Sequence, residues 1–324
     1  MNLAANKDGG DSSRHKRRSP QPAREDPRRL RLKEIAQSTI DAMNLGHIDV
    51  PAGPNTVNRL DIKRYIIQTQ QYTRLHPEDS PDLRDWRTAP PRPLRGPGAQ
   101  NMPATIEIKE LSTIKGVRYL HAFDPIERVG VLNFASATKP GGGFLNGARA
   151  QEESIARSST LYASLTTPTA QPFYASHYHD EKGGYYSHAI IYSPNVVIFR
   201  DDDGRWFNPI KVDVATSPAV NAGQVRKTRR RSRDETEGRI KEVMQERMAR
   251  ILTVFEKEGV RNLVLGSFGT GVFQNDVRAM AEIWRELFQV RFLTSFDRVV
   301  FAIPDRKTLA KFESGFNPRH RPRM

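Results

Sequence analysis

The residues best placed to do chemistry run from Gly141 to Glu153: Gly141-Gly142-Gly143, a seven-residue spacer, then Gln151-Glu152-Glu153. Glycine lets backbone approach a ligand closely and adopt positive φ. The N–H groups of a helix start favour phosphate. A carboxylate beside a phosphate cradle is a poor phosphate ligand, but it can act as acid or base on a sugar bonded to that phosphate. The combination points to a phosphorylated glycoside rather than to ATP. A second loop, Gly266-Ser267-Phe268-Gly269-Thr270-Gly271-Val272-Phe273, follows another apolar run. Two such loops at one sheet edge could clasp a diphosphate from both sides through backbone N–H groups. Neither is a P-loop, because no Gly-Lys-Ser/Thr follows.

Glu152 and Glu153 are adjacent, so on a helix they point about 100° apart and cannot flank a glycosidic bond. That departs from the two-carboxylate glycosidase. One glutamate would serve first as acid and then as base for water, while the other orients a sugar hydroxyl. A helix start favours the charged carboxylate by about 0.3–1 kcal/mol, whereas burial and neighbouring negative charge favour the neutral acid, and more strongly. The bland alternative is an acidic first turn that merely caps a helix.

His177, His179, Asp180, Glu181 and His188 have metal-binding side chains, but Gly183-Gly184-Tyr185-Tyr186 beside them reads as a polar loop, and no metal is expected. Asp201-Asp202-Asp203-Gly204 reads as a turn, since the terminal Glu of a calcium loop is missing. Phe268 and Phe273 either stack on a base or ribose, or pack in the core.

These groups need a frame. Apolar spacing predicts a helix over 28–43 and a long helix over 236–257. Further helices are expected over 111–123, 154–165 and 279–288, with a short one over 308–312. Strands are expected over 105–108, 129–135, 188–192, 196–199, 210–215, 262–265 and 298–303. Residues 55–67 are ambiguous between strand and helix. Strands alternating with helices imply α/β architecture, a mixed sheet with helices on both faces, and ligands beyond the carboxyl ends of the strands. Residues 1–27 form a basic tail without periodicity, expected to be disordered. A Pro/Gly stretch, 89–98, separates an accessory segment (28–103) from the main body (104–315), and 316–324 make a basic end.

The 324 residues carry a net charge of +14. Ten Lys/Arg against four Asp/Glu lie in residues 1–33, six against one in 306–324, and a further block runs Arg226 to Arg233. Such charge attracts polyanions, so weak nucleic-acid contact is one expectation; solvated charge without a partner is the other. The chain has no cysteine, which excludes disulfides, thiolate nucleophiles and cysteine-based zinc sites. Without a signal-like h-region or a membrane-spanning run, an intracellular protein, cytoplasmic or nuclear, is expected.

The segment from Val131-Leu132-Asn133-Phe134-Ala135-Ser136 through Gly141-Gly142-Gly143 to Gln151-Glu152-Glu153 resembles the signature of poly(ADP-ribose) glycohydrolases. Gly269-Thr270-Gly271-Val272-Phe273 resembles the diphosphate loop of the same macrodomain fold. Tyr192-Ser193-Pro194, Arg200 to Gly204 and Ser217 to Gly223 are similar to the short microbial type. The resemblance implies hydrolysis of ribose–ribose bonds in poly(ADP-ribose), without metal; poly(ADP-ribose) or ADP-ribosylated protein is the expected substrate, and a monomer without cofactor is expected. It implies Glu153 as the acid/base and Glu152 as the ribose-positioning group. Gln151, Ser136, Gly141, Gly142, Gly143, Gly269, Thr270, Gly271, Val272 and Phe273 would contact substrate, with Phe273 on the terminal ribose. A non-catalytic ADP-ribose-binding macrodomain and a mono-ADP-ribosyl hydrolase are the alternatives.

Overall fold

The computed structural model describes residues 26–54, 56–89, 102–179, 181–228 and 232–318. Asp180, Arg229 to Arg231, nearly all of the Pro/Gly stretch and most of both basic ends lie outside the described residues.

Seven strands form one sheet in the order β3 (Arg74–His76), β6 (Ile190–Arg200), β7 (Trp206–Ser217), β5 (Val129–Phe134), β8 (Asn262–Leu265), β9 (Arg298–Ala302) and β4 (Thr105–Lys109). From β7 to β4 the neighbours are parallel, while β6 is antiparallel to β3 and β7. Side chains alternate along these strands, so each face needs a cover. Val129, Val131, Val214, Val264 and Val300 pack under α4 (Thr113–Phe123), α5 (Gln151–Ser158), α6 (Leu161–Leu165) and α7 (Gln171–His177). Leu132, Ala215, Leu263, Val299 and Phe301 pack under α8 (Ala222–Thr228), α9 (Arg233–Lys257), α10 (Val277–Gln289) and α11 (Arg306–Phe316). The mixed α/β sheet with helices on both faces is therefore present, and β5 runs up its centre.

Several boundaries differ from the sequence reading. The expected helix over 154–165 starts earlier, at Gln151, and is two helices, α5 and α6. Between them Ser159 is extended and bridges Ile198, and Thr160 N donates to Val197 O at 3.0 Å. The two short strands around Ser193-Pro194-Asn195 are one strand, β6, with a register shift between Ser193 and Val196. Proline lacks the ladder donor, and Asn195 takes a left-handed φ of 58° to carry the chain through. The long helix α9 begins before Thr236 because Ser232 and Glu235 form a reciprocal capping box. The ambiguous stretch 55–67 resolves into a strand, β2 (Thr56–Asp61), paired with β1 (His47–Gly53), and then the start of α2 (Lys63–Tyr72). Strands β1 and β3, the short helix α3 (Pro81–Arg84), α7 and α8 lie outside the elements expected from the sequence.

The first helix, α1 (Pro27–Leu45), is started by the Asp26 side chain and ended by Gly46 in left-handed backbone, φ 78°. It braces the glycine-rich loop. Ala36 packs with Phe144 and Ala156, Arg29 Nε donates to Asn146 O at 2.8 Å, and buried Thr39 Oγ1 donates to Arg157 O at 2.6 Å. No helix among the described residues is long and apolar enough to cross a membrane.

The Thr39 bond caps an otherwise orphaned carbonyl at the end of α5. Thr39→Val keeps the shape and removes the donor, so it should cost about 1–3 kcal/mol of stability. Urea denaturation of wild type and variant measures this directly; an unchanged midpoint would show that the brace contributes nothing.

Candidate active site

The chain leaves β5 at Phe134, turns through Lys139–Gly147 and re-enters helix at Gln151. Three consecutive side chains then tie that helix start back to the strand and the loop. Gln151 Oε1 accepts from Phe134 N at 2.9 Å, and its Nε2 donates to Leu132 O at 2.7 Å and to Thr113 Oγ1 at 3.2 Å. β7 pairs with β5 as far as Phe134, but β8 only as far as Val131. The Gln151 amide stands in for the missing stretch of strand.

Glu152 is 2% exposed. Its Oε2 accepts from Ser136 N at 2.6 Å and its Oε1 from Asn133 Nδ2 at 3.3 Å. Burial pushes its carboxyl up from the ordinary 4.5 to about 8, against the pull of the Ser136 N–H and the Asn133 amide. Glu153 Oε1 accepts from Gly143 N at 2.9 Å. Its Oε2 is buried and has no partner among the described residues. Both glutamates are thus anchored, but only Glu153 keeps an oxygen uncommitted.

The glycines are needed by these acids. Gly141 and Gly142 have φ of 66° and 59°, consecutive left-handed residues. A Cβ on Gly142 would lie 2.4 Å from Glu153 Oε1 and 3.1 Å from Glu152 Oε2. The two carboxyl groups therefore converge on one point of the loop rather than facing each other across a sugar. In the second loop, Gly269 has φ 72°, and its Cβ would lie 2.4 Å from Ala219 Cβ. Gly271 is different: nothing lies within 4 Å of where its Cβ would be. No protein neighbour requires glycine there.

Both loops line one cavity of about 630 Å³. Ser136, Gly142, Gly143, Gln151, Glu152, Glu153, Gly269, Thr270, Gly271, Val272 and Phe273 all face it; Gly141 does not, and sits behind, under the Phe144 ring. Gln151 lines the cavity with its amide spent on protein at both ends, which makes it a brace rather than an open ligand. Ser136 Oγ accepts from Lys139 N at 3.2 Å, which leaves its own hydrogen to donate. Phe268 is fully buried against Phe134, 5.4 Å between ring centroids, so it packs in the core. Phe273 is half-buried and turns a face to the cavity.

The sequence reading missed Ser112, Thr113, Ile303 to Asp305 and Thr308, which also line the cavity. They follow the carboxyl ends of β4 and β9, and applying the strand-end rule to every parallel strand would have found them. Asp202, whose Oδ2 accepts from Ser112 Oγ at 2.6 Å, comes from the β6–β7 turn and left no such signal. Exposed Lys139 and Arg149 are the cations of the lining. The histidines do not converge: His177 Nε2 is bonded to Ser187 Oγ at 2.7 Å, and no group of three or more metal-ligating side chains occurs among the described residues.

Two strand-end glycine loops closing on an anchored, half-committed glutamate define a hydrolase site on a macrodomain-like sheet. The family model described as microbial-type PARG, catalytic domain (PARG being poly(ADP-ribose) glycohydrolase) matches residues 36–201. The structure of poly(ADP-ribose) glycohydrolase from Thermomonospora curvata is 36% identical, with a TM-score of 0.77, over 90% of this chain and 100% of its own. The same enzyme bound to the inhibitor ADP-HPD matches with a TM-score of 0.74 at 36% identity over the same shares, 90% and 100%. Poly(ADP-ribose) glycohydrolase from Deinococcus radiodurans in complex with ADP-ribose is 37% identical over 78% of this chain and 97% of its own, TM-score 0.69. The search of curated proteins found no match. The chain belongs to the microbial-type poly(ADP-ribose) glycohydrolase family.

The raised Glu152 carboxyl has a stability consequence. Unfolded, it loses its proton near 4.5; folded, it holds it to about 8. The folded state binds the extra proton between those values, so this group's contribution to stability falls as pH rises through them. Glu152→Gln should abolish that fall. Denaturant midpoints of wild type and variant across that window would show it; parallel curves would mean the acid is not held neutral.

Proposed function

We propose that this enzyme releases ADP-ribose from poly(ADP-ribose) with Glu153 as its single acid/base. The observation that carries the reading is the unequal commitment of the two glutamates. Glu152 uses both oxygens on Ser136 and Asn133. Glu153 uses one on Gly143 N, leaves the buried Oε2 without a partner among the described residues, and lines the cavity. A protonated Glu153 would give its proton to the ribose oxygen that leaves as the C1–O bond breaks. Charge developing on the remaining ribose is met by the Glu153 carboxylate that the proton transfer leaves behind. The same Glu153, now ionised, takes a proton from the water that attacks C1, which restores the acid. Glu152, held rigidly beside it, would fix the ribose hydroxyls. The diphosphate would lie between Gly142-Gly143 and Gly269 to Phe273, where backbone N–H groups can reach it.

The body formed by 104–315 would carry the chemistry, with 28–103 as a brace, since α1 holds the loop that holds Glu153. The positive charge of the chain ends is proposed to add non-specific affinity for polyanions, which a steep loss of DNA binding with rising salt would reveal.

Two substitutions test the reading. Glu153→Gln should lose about 10²–10⁴-fold in ADP-ribose release while calorimetric ADP-ribose binding survives. Near-normal turnover would end the assignment. Gly271→Val should leave the thermal midpoint where it is, because no protein atom is displaced, and weaken ADP-ribose binding by crowding the diphosphate; unchanged affinity would remove this loop from the clasp.

A further inference from the structure

We propose that Arg226 and Arg247 are positioning residues that set the aromatic wall of the cavity, Phe273 with Tyr186 against it. The inference rests on the reading above, in which that wall receives a ribose of the substrate.

Three residues other than glycine have positive φ among the described residues: Tyr186 (54°), Asn195 (58°) and Gln274 (57°). Two of them adjoin Phe273. Gln274 follows it in the chain, and the Tyr186 ring lies 5.9 Å from the Phe273 ring, tilted by 43°. Left-handed backbone is disfavoured for a residue with a Cβ and persists only where its surroundings over-determine it.

At Gln274 the determinant is Arg226. Its Nη1 donates to Gln274 O at 2.7 Å. Its other nitrogens are fixed by a forked pair with Glu237 on α9, Nε to Oε1 at 2.6 Å and Nη2 to Oε2 at 2.9 Å. Gly223, on the same helix as Arg226, donates its N–H to Phe273 O at 3.1 Å. The basic block that begins at Arg226 would read as a polymer-binding patch, yet this arginine is turned inward onto the cavity loop.

At Tyr186 the determinant is Arg247. This guanidinium is 0% exposed, and no carboxylate bonds it among the described residues. It donates to Pro218 O at 2.9 Å, Tyr185 O at 2.7 Å and Tyr186 O at 3.4 Å. Burying a cation on carbonyls alone is expensive. The planar fork of arginine can span two loops at once, which a lysine cannot. Each arginine thus bonds backbone at one end of the wall, and neither lines the cavity itself.

The test is a double-mutant cycle on the full chain, reading calorimetric ADP-ribose affinity together with KM and kcat for polymer. Arg226→Gln leaves Glu237 partly exposed, so it should fold. It should weaken ADP-ribose binding about tenfold, while kcat stays within about threefold of wild type. In a Phe273→Ala background the same change should add nothing, because its effect passes through that ring. Arg226→Lys should recover part of the loss. Arg247→Lys, if it folds, should repeat the pattern. Wild-type affinity in Arg226→Gln, or full additivity with Phe273→Ala, overturns the proposal. If wild type neither binds ADP-ribose nor releases it, the site reading fails and takes this proposal with it. If Phe273→Ala weakens binding and Arg226→Gln does not, this proposal alone fails.

Discussion

A carboxyl group buried at the end of a sheet must find donors, and here the donors are the backbone itself. Burying an acid without hydrogen bonds is costly. Ser136 N, at the exit of the central strand, serves Glu152, and Gly143 N, in the turn beyond, serves Glu153. These two bonds make the strand end, the turn and the first turn of α5 a single object. The turn cannot move without exposing an unpaired acid, and the acids cannot move without releasing the turn. The left-handed pair Gly141-Gly142 follows from this, because any side chain on Gly142 would collide with the acids.

The same economy extends outward. Gln151 completes a strand that the neighbouring strand leaves short. Helix α1 closes the back of the loop through Arg29, Ala36 and Thr39. Loops are ordinarily the mobile part of a fold, but a site that discriminates transition states needs its groups held closely. Rigidity is imported from α1 on one side and from the α8–α9 arginines on the other.

Much of this was legible in the sequence. The apolar run at 129–135 and the stripe at 240–255 announced the central strand and its covering helix, because burial on one or two faces leaves a period. The glycine loops and Gln151-Glu152-Glu153 announced a site through their combination, three glycines leaving a strand for a helix that opens on two acids, since an acidic first turn alone is ordinary, as in α9. What stayed hidden depended on partners distant in the chain. The break at Ser159 comes from pairing with Ile198. The single strand through Pro194 is possible because Asn195 takes positive φ there, its N–H bonded to Asp213 and its carbonyl to Thr69. Arg226 looked like one member of a basic run, and only the fold shows it facing Gln274. Adjacency in sequence told Glu152 from Glu153 by order alone; hydrogen bonding shows how differently the two carboxyl groups are held.

The empty space around the Cα of Gly271 has a practical side. The chain contains no cysteine, so Gly271→Cys would carry the sole thiol of the molecule, at the mouth of the cavity and clear of every protein neighbour. A fluorophore or spin label attached there would sit where ligand must pass. Because a side chain there is expected to crowd the diphosphate, such a label would compete with ligand, and its displacement would read occupancy of the cavity without stripping native thiols.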